Sequence, residues 1–147
     1  MKSNHAMVAW GLLADIRGVS DQIGDSLFRK PDKGSPTTRL DALLRLDDLS
    51  GRLAVAARRL PLVSGGILFE VSHRADATII EAARPLSRRD VPEADRAKAV
   101  DLLEGLEGHI VRAALNLAVN EALFSQTPTR SDARRWLASA SVARRAA

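Results

Sequence analysis

An all-α fold is predicted, and three observations predict it. Helix formers dominate: 24 alanines and 20 leucines stand against five aromatic residues and no tyrosine in 147 residues. Apolar residues recur at steps of three and four over four long stretches, the period of a helix with one buried face. Pro, Gly and Ser cluster between those stretches, as short connections require. Short connections make sequential helices antiparallel, so the expected architecture is an up-down four-helix bundle with a short additional C-terminal helix. Residues 7–147 form one domain on this reading. Residues 1–6, ahead of Met7, read as a possible cloning scar and stand outside the fold argument.

The first helix is expected from about Ala6 to Arg29, with Val8, Leu12, Ile16, Val19, Ile23 and Leu27 inward. Lys30 to Pro36 then reads as a loop. Thr37 or Thr38 can cap a second helix running to about Arg59, where Pro61 stops it. Its inward stripe is Leu43, Leu46, Leu49, Leu53, Ala57 and Leu60. Asp41 with Arg45 and Asp48 with Arg52 pair acid-first at i,i+4 on its outer side.

Ser64, Gly65 and Gly66 mark the next turn, and a third helix covers about Gly65 to Arg84. Ile67, Val71, Ala75, Thr78 and Ala82 face inward. The run of residues 67–71 could be a strand, but no second strand candidate exists to pair with it. Pro85 is expected to stop this helix. Asp90 as cap and Glu93 three residues on start a fourth, from about Val91 to Ser125. A fifth runs from about Ser131 to Arg145.

Two helices carry more apolar surface than one core needs. From Ile110 to Phe124, eleven of fifteen residues are apolar. At about 100° per residue they form two stripes. Leu103, Leu106, Ile110, Leu117 and Phe124 make the core stripe. Val111, Leu115, Val119 and Leu123 make a second on the opposite side, which the fifth helix, another subunit or a partner helix must cover. The first helix repeats this, with Met7, Gly11, Ala14 and Gly18 opposite its core stripe and Trp10 beside them. Small residues at that spacing let another helix come close. Phe69 and Ile80 also fall outside the main stripe of the third helix, with His73 between them.

The charge is uneven. The net charge is +4, and residues 126–147 carry Arg130, Arg134, Arg135, Arg144 and Arg145 against Asp132 alone. A basic end of this kind can meet nucleic acid phosphates, an acidic partner or a membrane surface, or can simply suit a helix C-terminus. No aromatic residues interleave with these arginines to stack on bases.

Chemistry is sparsely signalled. The absence of cysteine excludes disulfides, thiolate metal sites and cysteine nucleophiles. Glu70 and His73 have the Glu-x-x-His spacing used in di-metal bundles, but such a site needs a second element, which only a dimer could supply. No cofactor is expected. Arginine outnumbers lysine 18 to 4, a bias of GC-rich bacterial genomes. The sequence is therefore read as a non-enzymatic interaction or self-assembly module, a homodimer or the partner of another helical protein. The alternatives are a nucleic-acid-associated bundle and, more distantly, a dimeric metal-binding one. A cytoplasmic location and no membrane partner are expected.

Overall fold

In the computed structural model, which describes residues 2–28, 36–121, 123 and 129–146, every regular element is a helix. They are α1 (Lys2–Phe28), α2 (Pro36–Ala57), α3 (Leu62–Leu86), α4 (Glu93–Asn120) and α5 (Arg130–Ala146). α1 packs on α2, α4 and α5. α2 packs on α3, α3 on α4, and α4 on α5. No helix among the described residues is long and apolar enough to cross a membrane.

Most of the predicted inward residues are buried. Ile16, Ile23, Leu46, Leu53, Leu106, Ile110 and Leu117 are shut off from solvent in one continuous core. Leu49, Leu60 and Ile67 are half-buried at its edge. Val8 is the exception: it lies on the outside of α1, about half exposed. Ala9 and Leu13 take the inward places instead, because the buried face of α1 is wider than one stripe. Phe124 and the break at Pro128 lie outside the described residues.

Several helix ends differ from expectation. α1 begins at Lys2 and buries Ala6, so the helix takes in the stretch set aside as a possible scar. α2 begins at Pro36, ahead of Thr37 and Thr38, in keeping with proline's fixed φ in a first turn. α3 begins at Leu62, which places Gly65 and Gly66 inside its first turns rather than in a turn before it. It also runs through Pro85 to Leu86, since one proline in a last turn removes a single ladder bond. α4 starts after Pro92 with no side-chain cap, so Asp90 does not cap it. The Arg96 N–H closes the first turn on the Pro92 carbonyl (2.9 Å).

Polar groups fix how α2 lies on α3. At one end Arg39 is buried, and its Nε donates to the Leu86 carbonyl (3.0 Å) while Nη2 reaches the Arg88 and Arg89 carbonyls. Leu86 is the last residue of α3 and the other two carbonyls follow it, where backbone acceptors have no helical partner. In the middle, Ser50 Oγ sits 3.0 Å from both the carbonyl and the hydroxyl oxygen of Ser72, and 2.7 Å from Asp76 Oδ1. At the far end Gly65 meets the end of α2. A Cβ there would lie 2.5 Å from the Ala57 carbonyl oxygen, so only glycine allows the approach.

Two outcomes are expected. Leu53→Ala and Leu117→Ala should each cost about 2–5 kcal/mol in urea unfolding, and a loss below about 1 kcal/mol at both would contradict their core positions. Gly65→Ala should destabilise the protein. Gly66→Ala, which meets nothing within 4 Å, should be neutral or stabilising by up to about 1 kcal/mol. The order of the two midpoints checks the contact with Ala57.

Candidate functional site

Four features are candidates for function: three rest on a pair of helices and the fourth on α5 alone. The first is the second stripe of α4 together with the small-residue face of α1. Val111 is fully buried, Leu115 and Leu123 are half-buried, and Val119 is 56% exposed. On α1, Gly11 and Ala14 are buried, Gly18 is half-buried and Met7 is about half exposed. α5 packs on both helices and buries Ala133 and Leu137. The ring of Trp136 lies 6.4 Å from that of Trp10, tilted by 55°. The inner parts of both faces are thus covered within the chain, and Val119 and Met7 are not.

α5 starts with a reciprocal cap that the residues Thr129-x-x-Asp132 encode. The Asp132 N–H donates to Thr129 Oγ1 (3.1 Å), and the Thr129 N–H donates to Asp132 Oδ2 (3.0 Å). Arg135 also pairs with Asp132. The Thr129 backbone and side-chain hydrogen bonds, with Arg135 adding to them, hold the Asp132 carboxyl below its ordinary value.

The second feature is the outer side of α2 and α3. Leu44 is 67% exposed, Leu62 90% and Ile80 77%, with Phe69 and Val55 about half exposed. Beside Val55, between the start of α1 and the second half of α2, lies an open groove of about 660 Å³. Val8, Leu12, Gly51, Val55 and Ala56 line it, with His5, Asp48, Arg52 and Arg59 among its polar groups. Sequence reading singled out Phe69 and Ile80 but not Leu44, Val55 or the groove. The signal was present in their spacing around α2, but it was masked by the charged residues between them.

The third feature is the Glu70 and His73 element. The structure does not bring these two together. Glu70 Oε1 lies 3.7 Å from Nδ1 of His109 on α4, and His73 points to solvent. Among the described residues no three His, Asp or Glu side chains gather as they would around a metal ion. A smaller groove between α1 and α4 is acidic, with Asp21, Asp25, Glu104 and Glu107 around Arg17. Arg17 contacts Glu107 at 3.4 Å and Asp21 at 3.6 Å. Burial raises the Asp21 carboxyl above its ordinary value; Arg17 opposes this, and Glu107 and Asp25 add to it.

The fourth feature is the basic end. Arg130, Arg134 and Arg135 are exposed on α5. Arg144 and Arg145 belong to the same helix, and their side chains lie outside the described residues. Comparison with protein families, characterised proteins and solved structures finds no match to this chain.

The two tryptophans are the whole complement of this chain, so their emission reports the α1–α5 contact. Asp132→Ala should red-shift that emission at neutral pH while most helical ellipticity remains. The carboxyl of Asp132 is depressed in the folded state, so its stabilising effect is present above the ordinary value of 3.8 and is lost as pH falls below it. Acidification should therefore move the wild-type spectrum toward that of the variant. Coincident spectra at neutral pH would show that the cap does not hold α5.

Proposed function

We propose that this chain is a non-enzymatic helical module that works by binding other helices, in self-assembly or with a helical protein partner. Its scaffold is read as an up-down four-helix bundle, α1 to α4, with α5 laid on the α1–α4 side. The observation that carries the reading is the outward stripe of α3. Leu62, Phe69 and Ile80 recur at 7 and 11 residues, which brings them within about 40° of one another around the helix. All three are exposed. Covering such side chains stabilises an assembly by roughly 1.5–3 kcal/mol each on full burial, and a partner helix offers that cover. The second stripe of α4, at Val119, and Met7 of α1 add smaller uncovered apolar points at the α1–α4 side. A cytoplasmic place of action fits the cysteine-free composition.

A second reading rests on the exposed arginines of α5, which could meet phosphates without reading sequence. One experiment separates the two. Ile80→p-benzoylphenylalanine, expressed in the source cell and irradiated, should give a discrete protein adduct, and Phe69→Asp in the same chain should abolish it. An absent adduct at Ile80, together with salt-sensitive binding of any duplex DNA that Arg134→Ala/Arg135→Ala removes, would replace the first reading with the second.

A further inference from the structure

Asp41, Leu44, Asp48, Arg52, Val55 and Arg59 are exposed along the outward side of α2 and the turn after it, while Arg45 on the same side donates to Gln22 Oε1 of α1 (2.7 Å). Their spacings of 3, 4, 4, 3 and 4 keep them on one side of the helix. The order of their chemistry is acid, apolar, acid, base, apolar, base. Taken about Ser50, Asp41 and Arg59 lie nine residues either side, and Asp48 and Arg52 two either side. Leu44 and Val55 lie six and five residues either side. Such a stripe is complementary to its own reverse. A two-fold axis crossing the helix at Ser50 sets each acid of one copy against a base of the other, and Leu44 of one against Val55 of the other.

From this charge complementarity we infer that the outward side of α2 is the docking surface for a second copy of the chain, with the two α2 helices antiparallel. The surface is shaped for this. Leu44 stands 67% exposed on α2, and the groove beside Val55 has an apolar floor of Val8, Leu12 and Ala56. In the antiparallel register, Leu44 of one copy enters that groove on the other. Gly51 borders the groove and meets nothing within 4 Å where a Cβ would stand, so the second helix can come close there. Asp48 and Arg52 already pair within one chain at 3.1 Å. Across the axis two such pairs meet head to tail, and a square of four alternating charges results. Asp41 and Arg59 close the two ends. Charges placed this way fix direction and register and leave the apolar contacts to supply affinity.

The inference rests on the self-assembly form of the proposed function, and charge reversal tests it separately. Sedimentation of the full chain over a concentration series should show a monomer–dimer equilibrium. Asp41→Arg/Asp48→Arg sets arginine against arginine in its own dimer, and Arg52→Asp/Arg59→Asp sets acid against acid. Each variant alone should dimerise about tenfold or more weakly. An equimolar mixture should recover a heterodimer close to wild-type affinity, which a merely structural effect of either change would not produce. Leu44→Ser should weaken the dimer without lowering the unfolding midpoint measured at concentrations where both chains are monomeric. A wild-type chain that stays monomeric throughout, or a dimer unaffected by both charge reversals, would overturn the inference. In the second case self-assembly stands and uses another face. A photo-adduct at Ile80 on α3 is unaffected by either outcome.

Discussion

α1 is covered on three sides, and much of the rest of the molecule follows from that. It lies against α2, α4 and α5 at once. A helix with three neighbours cannot have a polar face of ordinary width, because an unpaired polar group there would be buried without a partner. It also cannot be thick on every side. α1 meets both demands by placing large residues such as Leu13, Ile16 and Ile23 in the centre and Ala9, Gly11 and Ala14 at other buried positions. Ala133 of α5 and Ala113, Ala114 and Ala118 of α4 are buried as well. The alanine content of the chain is therefore a packing feature as much as a helix propensity. Trp10 and Trp136 meet at 6.4 Å and supply aromatic bulk to the α1–α5 contact.

A core made mainly of leucine and alanine offers many nearly equivalent packings, since such residues slide past each other at little cost. The contact between α2 and α3 is fixed by polar atoms instead. Ser50 and Ser72 exchange hydrogen bonds through both hydroxyl and carbonyl groups, and a shift of one turn would break these hydrogen bonds between the two helices. Arg39 acts at the end of the same contact. Burial pulls its guanidinium below the ordinary value, yet a guanidinium remains charged, and the carbonyls at the end of α3 and just after it accept from it.

The helices and most of their inward residues were legible in the sequence because periodicity is a property of one helix at a time. Leu46, Leu53, Ile110 and Leu117 needed no knowledge of any neighbour. What periodicity does not hold is which neighbour covers a face. The surplus stripe of α4 is divided, with Val111 under cover and Val119 in the open, and the spacing of the four residues is the same for both. Glu70 was read with His73 on its own helix, but its contact is His109, on the helix beside it. Val8 fitted the α1 stripe by spacing, and it is outside because a helix buried on several sides has more inward positions than one stripe can name. Helix starts were the least legible: backbone packing, as at Gly65, decided them as much as local capping.

The placement of α5 also decides where apolar surface remains. α5 lies over α1 and α4, and no described helix lies over α2 and α3 in the same way. The large exposed apolar side chains follow that asymmetry. Leu40, Leu44, Val55, Leu62, Val63, Phe69 and Ile80 belong to α2 and α3, whereas the fifth helix takes up the inner part of the surplus apolar faces of α1 and α4 and leaves Met7, Val8 and Val119 exposed there. Composition alone would have favoured the opposite assignment, since the excess in the sequence is densest on α4. Density measures how many apolar residues a helix has. Exposure depends on how many helices surround it, and α4 has three packed against it while α2 has two. The side with the fewer neighbours is therefore the side on which modest apolar stripes stay open to a partner.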